Sequence, residues 1–180
     1  GTAGLNFYGE TYVQEGILSI INGGLISLEP TAVRVGTGAI LNTNVALGAN
    51  ATTINIEQGA TLNVGGNELI SNNANLMVNG TVNLGFDGVS STEILSGNET
   101  IRTLSGNGVV DLNQFGLIVD TDGLSSRFDG IISNDSGDFT KNGAGTLTLN
   151  GANTITGNVT VSAGTLVLEE AGSFNELLPG

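Results

Sequence analysis

The sequence contains no cysteine and no histidine among its 180 residues. Disulfides, thiolate nucleophiles and zinc sites of the usual kind are therefore excluded. Basic residues are also scarce, since four Lys and Arg face seventeen Asp and Glu, for a net charge of −13. Such a surface repels phosphate, which argues against nucleic acids and anionic membranes as partners. No apolar run approaches the length of a transmembrane helix, so we expect no membrane insertion.

Glycine is abundant, with 29 residues, and only two prolines accompany it. The glycines show no period of three and fall between apolar couplets, as turn residues do. Only 12% of the residues are charged, so the surface must be covered mostly by neutral Asn, Ser, Thr and Gly. No shift in composition marks a domain boundary. We therefore expect a single segment over residues 1–180, and the ends at Gly1 and Pro179-Gly180 suggest a fragment of a longer protein.

A repeated unit organises the chain. Residues 143–168 alternate apolar and polar positions in three short stretches, each closed by Gly or Asn. Residues 7–20 align on residues 155–168 without a gap, 148 positions apart. The best copies therefore lie at 5–20 and 141–168. The matched positions are Gly9 with Gly157, Val13 with Val161, Gly16 with Gly164, Leu18 with Leu166, and Ile20 with Leu168.

Apolar-x-apolar triplets continue between these copies, and their starts are six to nine residues apart over residues 45–84. No stretch keeps the apolar spacing of a helix for three turns. Three short strands in each turn of about 20 to 22 residues are typical of a parallel β-helix. We predict an all-β fold of about eight turns, which forms a rod about 40 Å long. The turn length is read from three intervals: Ile54 to Leu76 (22 residues), Leu62 to Val82 (20) and Leu147 to Leu166 (19).

An antiparallel β-sandwich is the alternative, because short strands at eight-residue spacing also suit that fold. The repeat near 20 residues favours the coil, as does the scarcity of Asn-Gly or Asp-Gly pairs placed as hairpin turns. The passage from Gly85 to Gly97 is weaker and is interpreted as a loop or a displaced turn. Most aromatic residues are expected in the core, whereas Tyr8 and Tyr12 could cap the coil or form a contact.

Residues 141–168 resemble the autotransporter-associated β-strand repeat. In that pattern a lysine precedes Gly-x-Gly-Thr-Leu-x-Leu, followed by Gly-Ala-Asn-x-Tyr-x-Gly, a Thr-Val pair and Ala-Gly-Thr-Leu. Here Lys141 supplies the lysine and Ile155 replaces the tyrosine. The N-terminal copy keeps Gly16 but has Ile17 in place of threonine. Residues 30–135 resemble passenger domains only in the general style of their sequence. The resemblance implies a right-handed β-helix in a passenger of a type V secretion system, displayed on or released from the outer membrane of a Gram-negative bacterium.

The motif is specific for architecture and nearly silent on activity. The preferred hypothesis is a structural or adhesive segment rather than an enzyme, with no cofactor. Such a segment would act as a rigid stalk in a secreted, surface-displayed and in some cases virulence-associated protein. Its partners would be surface molecules of host or neighbouring cells, or further copies of itself, including end-to-end homo-oligomers. Two other functions stay open: a carbohydrate-active β-helix enzyme and a subunit of an extracellular filament.

A loop-rich stretch holds the candidate site residues Asp120, Asp122, Asp129, Asp135 and Asp138. Paired carboxylates can hydrolyse glycosides, but only Arg127 lies nearby as a basic residue, and solvated turn aspartates are the favoured interpretation. The run Asp120-Thr-Asp-Gly123 resembles the start of a calcium loop but lacks the later ligands and the closing Glu. Asp120 and Asp122 are therefore weak calcium candidates, and no catalytic or cofactor-binding residue is assigned.

Overall fold

The computed structural model of the protein describes residues 5–21, 26–48, 50–86, 97–134, 136–169 and 173–179. These residues form nineteen β-strands, and every pair of strands among them is parallel. No helix that could span a membrane occurs in this part of the chain. Parallel pairing excludes the antiparallel sandwich. The predicted parallel β-solenoid is confirmed, with about seven turns where about eight were expected.

The strands, numbered β1 to β19 in chain order, stack in three columns that form the faces of the coil. The first column contains β1 (Leu5–Val13), β3 (Ile26–Val35), β5 (Thr53–Ile56), β7 (Asn75–Val78), β10 (Thr103–Ser105), β13 (Ser126–Phe128), β16 (Thr146–Leu149) and β18 (Thr165–Leu168). The second contains β2 (Ile17–Ile20), β4 (Ile40–Thr43), β6 (Thr61–Val64), β8 (Thr81–Leu84), β11 (Val109–Asp111), β14 (Ile131–Ser133) and the first parts of β17 (Thr154–Val161) and β19 (Ser173–Pro179). The third contains β9 (Gly97–Ile101), β12 (Phe115–Asp120), β15 (Phe139–Asn142) and the second parts of β17 and β19.

Two features join these columns. Strand β17 turns a corner, because Thr154 pairs with Ser133 in the second column whereas Val159 pairs with Phe139 in the third. A parallel bridge from Gly106, directly after β10, to Phe128 in β13 continues the first column from one sheet into the next. From β7 onward the chain therefore visits the same three faces in the same order on each turn.

The core is a column of apolar side chains, most of them aliphatic, along the coil axis. Successive residues of a strand point to opposite sides, so each apolar-x-apolar triplet directs two side chains inward. Stacked inward residues are fully buried, as for Leu41, Leu62 and Val82 of the second column. Each of the three intervals that gave the turn length joins residues that pair directly in the sheet: Ile54 with Leu76, Leu62 with Val82, and Leu147 with Leu166.

The two copies of the repeated unit fold alike but lie on different faces. In each copy a long strand with a register shift near a glycine is followed by a glycine turn and a short strand. Gly16 and Gly164 have φ angles of +76° and +73°, which favour glycine. The short strand of the first copy, β2, lies in the second column, whereas that of the second copy, β18, lies in the first. The repeat therefore specifies the corner geometry and not the face.

The series of apolar stretches over residues 45–84, from which strands were expected, includes Val45–Leu47 and Leu69–Ile70, and these two stretches form no strand. These residues still stack, because the backbone N–H of Leu47 donates to the carbonyl of Leu69 at 2.7 Å. Glu68 there has a φ of 50°, which interrupts an extended strand. Residues 87–96, in the passage interpreted as a loop or displaced turn, lie outside the described residues.

Candidate functional site

A ladder of polar side chains connects four turns along the second column. The Nδ2 of Asn42 donates to the Ser19 hydroxyl at 2.9 Å, that of Asn63 to Asn42 Oδ1 at 2.8 Å, and that of Asn83 to Asn63 Oδ1 at 2.7 Å. Each rung of the coil places its asparagine directly beside the previous one, so the amides bond in series. Asn42 and Asn63 are buried. This ladder holds adjacent turns in register.

The candidate aspartates form similar bonds between turns. Asp120 Oδ2 accepts from Asn142 Nδ2 at 2.9 Å, and Asp138 Oδ1 accepts from the backbone N–H of Asn158 at 2.8 Å. Asp129 Oδ1 accepts from Arg127 Nε at 2.7 Å and from an asparagine amide on the next turn. These carboxylates therefore act as acceptors that connect the turns. Asp135 lies outside the described residues.

The calcium candidates lie two residues apart at the end of β12. The N–H of Asp122 makes a long bond of 3.4 Å to Asp120 Oδ1, and the Asp122 carboxylate lies 3.9 Å from Arg102. Within the described ranges, no group of three or more acidic, His or Cys side chains is arranged to hold a metal ion. Calcium binding at Asp120 and Asp122 stays a prediction.

Lys141 is a fully buried cation on the inward side of β15. Its Nζ donates to the carbonyl oxygens of Asn142, Gly143 and Ala163 at 2.5, 2.8 and 3.2 Å. Burial lowers the pKa of Lys141, and the charge of Asp120 opposes this shift. Because an ammonium group has three donors and three carbonyls accept them, Lys141 ties two neighbouring corner turns together.

Glu99 is a fully buried carboxyl on the inward side of β9, at a position that Leu117 and Phe139 occupy in the next two turns. Its two oxygens accept from the backbone N–H groups of Leu69 and Ile70, each at 2.9 Å. Burial raises the pKa of the Glu99 carboxyl to about 8, although these two hydrogen bonds lower it. In a regular strand, the N–H groups of Leu69 and Ile70 would donate to backbone carbonyls of a neighbouring strand. Leu69 and Ile70 are not in a strand, and the Glu99 carboxylate accepts these hydrogen bonds instead.

A groove follows one corner of the coil, and we call it the corner groove. Its first part, about 310 Å³, is lined by Ala46, Gly48 and residues 68–73. Its second part, about 270 Å³, is lined by Asn72, Asn73, Thr100, Arg102, Asp120 and Asp122. The two parts meet at the asparagine pair.

Two lining residues of the corner groove have strained backbones. Glu68 and Asp122 have φ angles of 50° and 41°, and Asn113 is the third such non-glycine residue in the described structure. Residues held in this region cost free energy and often occur at functional sites. The Glu68 carboxylate accepts from the Thr100 hydroxyl at 2.9 Å, which fixes the wall between the two parts. The corner groove is therefore a candidate binding site.

The fold places the protein among the parallel β-solenoids, with a core and polar ladders built from repeated turns. In the comparison with protein families, residues 139–168 match the passenger-associated-transport-repeat. The match and the solenoid together fit an autotransporter passenger domain that carries such repeats. The repeat implies a secreted, surface-exposed protein of a Gram-negative bacterium. No curated protein and no solved structure matches the chain.

Sequence reasoning missed that Lys141 and Glu99 are buried. Lys141 follows Phe139 at the inward spacing of two residues, and Glu99 precedes Ile101 at the same spacing. This alternation could have revealed that both side chains point inward. The expected aromatic core is confirmed for Phe115, Phe128 and Phe139, whereas Tyr8, Tyr12 and Phe86 are exposed.

Proposed function

We propose that the chain is a rigid stalk segment of a surface-displayed passenger. The observation that carries this proposal is the unbroken series of bonds between turns, made by the ladder of Ser19, Asn42, Asn63 and Asn83. A solenoid whose turns contact only their neighbours gains length by repetition, and its stability is close to a sum over adjacent turns. The polar side chains of the candidate aspartates support the same role, because they connect turns.

Deletion of one turn tests the stalk. Removal of residues 32–52 joins Thr31 to Thr53. Because Thr53 pairs with Ala32 in the intact coil, Thr53 can occupy the position of Ala32 after the deletion. The deletion also brings Asn63 next to Ser19, so the ladder can close again. We expect a folded β-rich chain that is shorter by about 4.8 Å, one strand spacing. Circular dichroism and spin-label distances across the deletion measure this. An unfolded chain would argue against interchangeable turns.

Adhesion through the neutral polar faces is the second part of the proposal, with surface molecules of host or neighbouring cells as partners. The net charge of −13 favours many weak neutral contacts over attraction to anionic cell surfaces. Beads coated with the purified chain should attach to cells more often than beads coated with a folded protein of equal charge. Equal attachment of both kinds of bead would show that the neutral polar faces do not promote adhesion, and it would not affect the proposed role as a stalk.

End-to-end self-association is a second candidate function, favoured by the first described turn. Tyr8 and Ile17 are 76% and 68% exposed there, and Leu18 is 37% exposed although its neighbour Leu41 is fully buried. Unpaired parallel strand edges beside apolar side chains can accept a further strand. Light scattering and negative-stain microscopy should show filaments that an Ile17→Lys variant loses. Monodisperse monomers at all concentrations would reject the filament.

A carbohydrate-active enzyme is the remaining alternative. The chain can be screened on polysaccharides, with Asp120→Asn and Asp129→Asn as variants. We expect no turnover, because both carboxylates accept hydrogen bonds from neighbouring turns. An activity that either variant abolishes would overturn the stalk as the sole function.

A further inference from the structure

The corner groove contains polar groups that make no hydrogen bond within the described structure. The side-chain amides of Asn72 and Asn73 are free in this sense, in contrast to the bonded asparagines of the ladder. The Arg102 guanidinium also lacks a hydrogen bond there, because its nearest carboxylate oxygen, on Asp122, is 3.9 Å away. The other cations, Arg34, Arg127 and Lys141, all donate to close oxygen atoms. Unused donors therefore converge at one place on the coil.

The shape of the corner groove suits an extended ligand. Its lining residues come from four successive turns, near positions 46, 70, 100 and 120. Three strand spacings of about 4.8 Å separate four turns, so the groove extends about 14 Å along the coil axis. A short stretch of a linear polymer fits this length better than a compact molecule does.

The chemistry of the lining indicates a ligand rich in hydroxyl groups. Asn72, Asn73 and Arg102 offer donors, and the carboxylate of Asp122 and the asparagine carbonyls offer acceptors. A hydroxyl both donates and accepts, so it can bond to either kind of group. Ala46, which is exposed, and Leu69, which is half-buried, offer apolar surface against which C–H groups can pack. The ligand should be neutral, because the chain carries −13 and repels anions.

We propose that the corner groove binds a neutral linear oligosaccharide, held by Asn72, Asn73, Arg102 and Asp122. A basic peptide is the competing ligand, since Glu68, Asp120 and Asp122 are acidic. Two observations disfavour it. The carboxylates of Glu68 and Asp120 already accept hydrogen bonds from Thr100 and Asn142. Arg102 lines the same part of the groove as Asp120 and Asp122 and repels a cation there.

Isothermal titration of the full chain tests the proposal. The probes are cellohexaose, maltohexaose, mannohexaose and hexa-N-acetylchitohexaose, with hexagalacturonate and hexalysine as charged comparators. We expect at least one neutral hexasaccharide to bind and both charged probes to bind more weakly. In Asn73→Ala and in Arg102→Ala, the dissociation constant should rise about threefold to tenfold, the usual effect of losing one hydrogen bond.

Asn107→Ala is the matched control, because Asn107 is exposed on another turn. This variant should keep the affinity of the unchanged chain. Urea unfolding of Asn73→Ala, a change in an exposed loop, verifies that the coil is intact. The proposal is wrong if no neutral probe binds, if hexalysine is the tighter ligand, or if all three variants bind the saccharide equally. None of these outcomes affects the stalk, which the turn deletion tests separately.

Discussion

The Glu99 carboxyl makes the stability of the coil depend on pH. Its pKa in the folded chain is about 8, above its usual value of 4.5, because burial disfavours the charged form. The folded state therefore holds the proton more tightly than the unfolded state. This stabilisation is complete below about pH 4.5, is lost as the pH rises towards 8, and changes little above that.

We expect the free energy of unfolding to fall by a few kcal/mol between pH 5 and about pH 8.5 through this group alone. Urea unfolding across this range measures the effect. A Glu99→Gln variant is the control, because its side chain has a similar shape and does not titrate. The difference between the two chains should grow with falling pH in favour of the unchanged one. A constant difference across the range would show that Glu99 does not titrate there.

Lys141 gives a second prediction at the residue scale. In Lys141→Met the part-buried carbonyls of Gly143 and Ala163 lose this donor, whereas the carbonyl of Asn142 keeps the N–H of Thr121. A buried acceptor without a partner costs about 1–3 kcal/mol, so we expect a loss of stability of at least that size. Thr140→Val on the same strand is the control and should change stability by less than about 0.5 kcal/mol. Equal stability of Lys141→Met and the unchanged chain would show that the lysine does not tie the turns.

The ladder is the element on which the coil depends for register. Asn63→Ala removes one amide that both donates and accepts, so Asn42 Oδ1 loses its donor and Asn83 Nδ2 loses its acceptor, whereas Asn42 still donates to Ser19. We expect a loss of about 1–3 kcal/mol in urea unfolding. Asn107→Ala, which removes an exposed amide of the same type, should be neutral. A neutral Asn63→Ala would mean that the aliphatic core alone sets the register.

The strands could be predicted from the sequence wherever a triplet was regular. Leu62 and Val82 pair directly because inward apolar residues can be buried only beside one another. The turn at Leu69–Ile70 could not be predicted, because its bonds come from the distant Glu99 and not from local alternation. The sequence also does not show that the two copies of the repeat lie on different faces. Gly16 and Gly164 form the same kind of turn, but the short strands that follow them lie in different columns.

Only some of the residues of the candidate site could be identified from the sequence. Asp120 and Asp122, the weak calcium candidates of the sequence, line the corner groove. Asn72, Asn73 and Arg102 could not be placed beside them without the register of the coil, because they come from different turns. Long-range stacking, rather than any motif, brings these groups together.

At the scale of the whole molecule, the central claim is that about seven parallel turns stack at a constant spacing. Glu10, Ala32, Thr53, Asn75 and Thr103 are neighbours from turn to turn, and Thr146 pairs with Thr165 further along the column. Each turn should therefore add about 4.8 Å to the distance from Glu10. The chain has no cysteine of its own, so spin labels can be attached at chosen sites without background.

Pulsed electron spin resonance on double-cysteine variants measures this most directly. Labels at residue 10 and at residue 103, 146 or 165 should give backbone separations of about 19, 29 and 34 Å, each with a narrow distribution. Distances that rise in proportion to the number of turns are the predicted result. Distances that do not increase with turn number, or broad distributions at every pair, would contradict the stacked coil.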